Sequence, residues 1–224
     1  MQVEIWSDVM CPFCYIGKRK FEAALAQFKY KENIEIIWKS FQLNPEMKTD
    51  TTKNSIVALA ENKGISLAES EKMHQYVIAM ASKVGLQYNM NKTIAANSFN
   101  AHRLTHFAKI KGKQLEIEEK LFEAYFILGK NIDDNNCLIE IGESVGLTHD
   151  DLVKMLNSND YENEVRKDIY EAQQVGVRGV PFFVFDRKFA ISGAQESSVF
   201  LISLDKAFDE WKKNNPDKVL NVIK

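Results

Sequence analysis

The sequence predicts an α/β protein in which a small sheet domain is interrupted by an all-helical domain. Two observations carry this. Runs of β character occur only near the two ends of the 224-residue chain, and between about residues 50 and 158 the apolar positions recur at helical spacing. A third observation locates the chemistry: a Cys-x-x-Cys pair, Cys11 to Cys14, stands between the first strand and the first helix.

The elements follow in order. Val3 to Trp6 is a short β-type run closed by Ser7-Asp8, and Cys11-Pro12-Phe13-Cys14 comes next. Phe21, Ala24, Leu25 and Phe28 then stand at i, i+3, i+4 and i+7, one face of a helix. Ile34 to Trp38 is β-branched and aromatic, a second strand, so the intervening helix is long enough for a parallel crossover. Asn44-Pro45 breaks the chain.

In the central block, Ser66 with Glu69 has capping-box spacing and opens a helix carrying Met73, Tyr76, Val77, Met80 and Val84, with Gly85 to end it. Helices follow around Phe99, Leu104 and Phe107; around Leu115, Leu121, Phe122, Tyr125 and Phe126; and around Cys137, Leu138, Ile141 and Val145. Thr148 caps a short one with Leu152 and Leu156. The loops are short, so the block reads as a bundle whose aromatic residues, Tyr76 among them, are mostly core.

After it come a helix with Val165, Ile169, Ala172 and Val175, a strand over Val180 to Phe185, a hairpin turn at Asp186-Arg187, a returning strand over Phe189 to Ser192, and a final helix bearing Phe200, Leu204, Ala207, Phe208 and Trp211. The predicted division is residues 1–47 with 160–224 for the discontinuous sheet domain and 48–159 for the helical insertion.

Composition excludes several classes. Lys plus Arg is 29 against 31 Asp plus Glu, a net charge of −2, which speaks against a broad nucleic-acid footprint. No window approaches the ~20 apolar residues of a membrane span. Three cysteines are too few for a disulfide-dense scaffold. Met1-Gln2-Val3-Glu4-Ile5-Trp6 lacks the pattern of a signal peptide, so the expected location is cytoplasmic.

In a reducing compartment a Cys-x-x-Cys pair points to redox or metal chemistry. A closed zinc site needs four ligands. Only Cys137 and four His remain, without a second ligand pair at finger-like spacing, so no metal is expected. Redox chemistry fits the context. Unsatisfied N–H groups at a helix N-terminus stabilise a thiolate. Pro12 suits the first turn because its missing N–H needs no acceptor there. Cys11 is therefore assigned as the nucleophile and Cys14, one turn inward, as the resolving thiol.

Cys11-Pro12-Phe13-Cys14-Tyr15-Ile16-Gly17 after Trp6-Ser7-Asp8-Val9, together with Gly179-Val180-Pro181-Phe182-Phe183, resembles the DsbA-like thioredoxin-fold oxidoreductases, and most of all their cytosolic FrnE-type branch. Asn97 to Leu104 and Leu121 to Phe126 are similar to that branch's helical insertion. The resemblance covers nearly the whole chain and implies a thioredoxin-like fold with an inserted all-helical domain. It also implies thiol–disulfide exchange on protein or small thiols, with no bound cofactor and a low-molecular-weight thiol as the co-substrate at most. Pro181 would be the family's cis-proline beside the cysteines. Val180 would bond an extended substrate segment, with Pro12 and Phe13 at the same surface. A monomer or homodimer is expected.

The chain departs from the family at two places. Thioredoxin and DsbA carry a buried acid six residues before the first cysteine, where this chain has Ile5, and Glu4 would face the other way. Asp8 is nearer in sequence, but a carboxylate beside Cys11 would disfavour a thiolate. The Pro12-Phe13 dipeptide lacks DsbA's histidine, which implies a weaker oxidant. Two other classes share the fold: the glutathione-dependent kappa-class and 2-hydroxychromene-2-carboxylate isomerase branch, which resembles this one but uses a serine at the reactive position, and a non-enzymatic thioredoxin-like binding module.

Among the remaining candidates, Cys137 falls on an apolar stripe and reads as core. His102 and His106 stand at i, i+4 without the glutamate of a zinc protease, and read as a polar helix face or domain contact. By resemblance, Asn97 and His102 would help line the cleft. Arg178 reads as a solvated loop residue that would favour a thiolate or an anionic thiol if it faced Cys11.

Overall fold

The computed structural model describes residues 1–219. Its central sheet has the order β2-β1-β5-β6, built from β1 (Gln2–Ser7), β2 (Glu35–Ser40), β5 (Phe182–Phe185) and β6 (Phe189–Ser192). β1 pairs in parallel with β2 across helix α1 (Pro12–Gln27), and β5 and β6 are antiparallel additions. The hairpin between them is a three-residue loop, Asp186 to Lys188, in which Asp186 and Arg187 take positive φ, 47° and 57°, and the Lys188 amide donates to the Phe185 carbonyl.

Strand alternation sorts the side chains onto two layers. Val3, Ile5, Phe183 and Phe185 are buried against α1 and the last helix, α9 (Ser197–Asn214), through Phe21, Phe200, Leu204 and Phe208. Trp6 and Val184 point to the opposite face and pack on Ala172 of α8 (Glu162–Gln174). Glu4 shares that second face, where it is ion-paired with Arg187.

Between residues 50 and 158 lie α2 (Ser55–Lys63), α3 (Leu67–Ser82), α4 (Phe99–Ile110), α5 (Gln114–Phe122), α6 (Asn135–Ser144) and α7 (His149–Leu156). The expectation of an all-helical insertion needs correction. β3 (Asp50–Asn54) and β4 (Ile94–Ala95) form a small antiparallel pair there. Asp50-Thr51-Thr52-Lys53-Asn54 has no apolar alternation from which a strand could be read. Tyr76 is a second correction: it is 64% exposed, outside the buried face of α3 formed by Ser70, His74, Val77 and Ala81. Val175 is likewise exposed, because the inner stripe of α8 is Val165, Asp168 and Ala172. The Ser66–Glu69 capping box is present in full.

Three residues of α4 join these helices to the sheet. Arg103 donates to the carbonyls of Asp160 (2.9 Å), Met155 (2.7 Å) and Ser158 (2.5 Å), fixing the turn that leads into α8. His106 Nε2 lies 3.1 Å from Ser40 Oγ and 3.2 Å from Asp168 Oδ2. Asp168 also accepts from Lys39 Nζ (2.8 Å) and from the Ser40 amide (3.0 Å). His102 is the third, and it faces the site described below.

Burial opposes ionisation of Asp168, but His106, Lys39 and the Ser40 amide outweigh it and hold the carboxyl below its ordinary range. A carboxyl depressed in this way stabilises the fold above the unfolded value of about 4, and the stabilisation is lost as pH falls through the folded value. Asp168→Ala should cost about 3–5 kcal/mol at pH 7, the usual effect of removing one partner of a buried ion pair. The deficit relative to wild type should shrink below pH 4 in urea unfolding curves. An equal deficit at both pH values would remove Asp168 from the acid limb of stability.

Candidate active site

The site is assembled where β1 runs out and α1 begins. The Cys11 amide donates to the Asp8 carbonyl at 2.9 Å, and the Cys14 amide to the Cys11 carbonyl at 3.0 Å, which closes the first turn. Cys11 is the N-cap of α1, extended at φ −87° and ψ 112°, and Pro12 occupies the first helical position. Both cysteines are free thiols. Cys11 is 3% exposed and Cys14 is wholly buried. Burial, and then the neighbouring Cys11, push the Cys14 thiol well above its ordinary value. The Ser7 hydroxyl and the Asp8 backbone oppose that rise.

The Val180–Pro181 bond is cis, and the Val180 carbonyl accepts from Cys11 Sγ at 3.4 Å. Pro181 lies against the second turn of α1: a Cβ at Gly17 would come within 2.9 Å of its Cγ. Gly17 is thus required for close approach rather than for an unusual dihedral angle. Tyr88, which leads from α3 toward β4, donates its hydroxyl to the Pro12 carbonyl at 2.8 Å.

Cys11, Pro12 and Phe13 open onto a cleft of about 580 Å³ roofed by α2 and α3. Its wall is dominated by Met10, Met47, Met73 and Met90, with Tyr125 and Phe126 at the back. The last two sit on a π-helical turn, Glu123–Ile127, that continues α5. Methionine side chains are flexible and polarisable, so this wall can conform to apolar guests of varied shape. The few polar groups that reach it include Ser55, Asn62 and His74. Sequence periodicity does not single out these methionines, because they come from four separate segments.

Other candidates lie elsewhere. Arg178 is exposed and forms no ion pair among the described residues. Asn97 and His102 are not in the cleft wall, contrary to the expectation from resemblance. Asn97 binds the loop that follows β2, through the Met47 carbonyl (2.8 Å), Thr49 Oγ1 (2.9 Å) and Gln42 (3.0 Å). His102 is buried, with Nε2 3.6 Å from Asp8 Oδ1. His102 and His106 face different carboxylates, and no group of side chains suited to hold a metal ion occurs among the described residues. Cys137 is half-buried, packed against the core, and burial pushes its thiol up to about 11. Ile5 is fully buried among apolar neighbours, so the usual acid is absent from that position.

Comparison with known proteins agrees with this geometry. A family model described as the DSBA-like thioredoxin domain matches residues 2–204. YwbO of Bacillus subtilis (strain 168), itself uncharacterised, is 28% identical over 218 residues, spanning 95% of this chain and 98% of its own. The crystal structure of a probable DsbA oxidoreductase, SCO1869 from Streptomyces coelicolor, superposes with a TM-score of 0.88 at 32% identity, covering 100% of this chain and 93% of that one. A 2-hydroxychromene-2-carboxylate isomerase structure shares the fold, with a TM-score of 0.67 at 18% identity over 97% of this chain and 98% of its own.

Gly17→Ala should force Pro181 away from α1, at a cost of about 1–3 kcal/mol for overpacking a close contact. The urea midpoint should fall and Cys11 should label faster with iodoacetamide as its contact with Val180 loosens. An unchanged labelling rate would show that Pro181 does not screen Cys11. Cys137, held above the ordinary thiol range, should label far more slowly than Cys11 at pH 8.

Proposed function

The chain belongs to the DSBA-like thioredoxin domain family, and on that premise we propose that it is a thiol:disulfide oxidoreductase or isomerase acting through the Cys11–Cys14 pair. The observation that carries this reading is the placing of Cys11 at the N-cap of α1, against the Val180 carbonyl and at the floor of an apolar cleft. Cys11 attacks a substrate disulfide and forms a mixed disulfide, and Cys14 displaces the substrate sulfur. In the reverse direction the Cys11–Cys14 disulfide is passed to a dithiol.

The pair needs no bound cofactor, and a low-molecular-weight thiol can recycle it. The methionine-lined wall favours substrates with an apolar group next to the reacting sulfur. Protein or small thiols are the partners, in a cytoplasmic setting of the FrnE type, with the protein acting as a monomer or homodimer. No helix among the described residues is long and apolar enough to cross a membrane. Arg178, solvent-exposed at the loop ahead of Val180, is assigned to the docking of an anionic partner.

Insulin reduction and refolding of scrambled ribonuclease test the assignment. Cys11→Ser should abolish both activities, and Cys14→Ser should trap substrate on Cys11 as a mixed disulfide. Full activity in Cys11→Ser would reject the exchange mechanism. Glutathione-dependent turnover of a chromene carboxylate would instead support the isomerase chemistry of the related fold. Titration in glutathione buffers should give a potential more reducing than the ~−120 mV of DsbA, since no histidine lies between the cysteines.

A further inference from the structure

Cys14 must lose a proton each time it resolves a mixed disulfide, yet it is wholly buried and the position of the family's acid is taken by Ile5. A different set of titratable groups lies directly behind the turn that carries the cysteines. Asp8 touches both sides. Its backbone and the preceding Ser7 hydroxyl face Cys14, and its carboxylate faces His102 of α4 at 3.6 Å. Glu118 of α5 completes the set with His102 and is 3% exposed. His102 Nε2, Glu118 Oε2 and Ser7 Oγ are all buried and make no hydrogen bond of ordinary length, His102 Nε2 having only the Asp8 carboxylate at 3.6 Å. Buried polar atoms without a close partner are costly and rare, and two of them, on His102 and Glu118, belong to side chains that interact with Asp8 behind the redox pair.

We propose that Asp8, His102 and Glu118 form the proton reservoir of Cys14, reached through Ser7, in place of the buried acid that position 5 lacks. The inference rests on the exchange reading above. Glu118 and His102 act as positioning residues, since neither touches the reacting sulfurs. In resolution the Cys14 proton passes to the reservoir, the Cys14 sulfur attacks the Cys11 sulfur, and the Cys11–substrate S–S bond breaks. The substrate leaves as a thiolate and takes up the proton. Both enzyme thiols are oxidised to the Cys11–Cys14 disulfide, and one substrate disulfide has been reduced to two thiols.

The electrostatics of every packed element are compatible with this. Burial raises the Glu118 carboxyl to about 7, against the opposing pull of His102, Thr105 and Lys18. Burial works against a charged His102, but Asp8, Glu118 and the Phe41 carbonyl outweigh it and raise its pKa. Lys18 of α1 is held by Glu22 and Glu119, Arg103 by backbone carbonyls, and His106 by Asp168. The Tyr125 hydroxyl, bonded to the Ile94 carbonyl, is raised by burial and by Asp8, so it does not compete for the proton. Glu118 is therefore the member that changes charge near neutrality.

The test uses the reduced full-length protein carrying Cys137→Ser, mixed with Ellman's reagent from pH 5 to 9. The first burst of thiolate reports attack by Cys11, and the second reports resolution by Cys14. The second phase should rise through an inflection near pH 7. Glu118→Gln should erase the inflection and slow the second phase about tenfold at pH 7.5, leaving the first phase unchanged. His102→Gln removes the cation that lowers Glu118 and should move the inflection to higher pH. If Glu118→Gln does not fold, Thr105→Val takes its place, and it should also move the inflection upward. Second-phase profiles identical to wild type in the variants, or no inflection in wild type, would overturn the reservoir. Loss of both phases in wild type, or their persistence in Cys11→Ser, would instead reject the exchange reading itself.

Discussion

The constraint on which the rest depends is the line of buried polar contacts along α4. His102, Arg103 and His106 lie on one helix and reach three different parts of the chain: Asp8 before the cysteines, the turn that leads into α8, and the Ser40–Asp168 junction at the end of β2. A helix that exposes this many polar groups to an apolar interior gains nothing unless each has its partner. The partners come from both the sheet and the neighbouring helices, so the two parts of the chain cannot be laid together in another register. The same helix is preceded by Asn97, which fixes the loop carrying Leu43 and Met47 into the cleft wall. The cleft is thus a product of polar anchoring beneath an apolar surface.

Much of the fold was legible because it depends on local rules. β1 and β5 are apolar runs of the right length, a hairpin turn does fall at Asp186-Arg187 with Lys188 added to it, and Ser66 with Glu69 makes the capping box that its spacing implies. Gly85 and Gly146, at φ 81° and 88°, close helices in the left-handed conformation that a side chain would strain. The cysteine pair was readable for the same reason: strand, turn and helix start lie within a dozen residues. α2 falls in the region read as helical but was not singled out, because Ile56 to Ala60 is an unbroken apolar run that shows no stripe. β3 and β4 were missed because neither carries the alternation of a strand with one buried face.

What could not be read from the sequence is whatever depends on distant pairing. Asp8 and His102 are 94 positions apart, and neither has a local signature of the other. The methionines of the cleft come from segments with no common period. The placing of Asn97 and His102 on the cleft wall failed for a related reason. Resemblance located them near the site in sequence space, while Asn97 is engaged by the loop after β2 and His102 by Asp8.

The π-helical turn at Glu123–Ile127 has a consequence of a different kind. A residue in an α-helix advances the chain by about 100°, so one residue accommodated in a wider turn resets the face of everything beyond it. Tyr125 and Phe126 lie within that turn and line the cleft. The length of this segment is therefore fixed to the single residue, even though it lies inside a helix. Loss of one codon here would rotate the aromatic wall out of the cleft without altering any cysteine, whereas the Gly112 turn, with open space around it, can absorb a change of length. Insertions and deletions among relatives should accordingly avoid residues 122–129 and collect at the open helix-ending glycines, Gly85, Gly112 and Gly146.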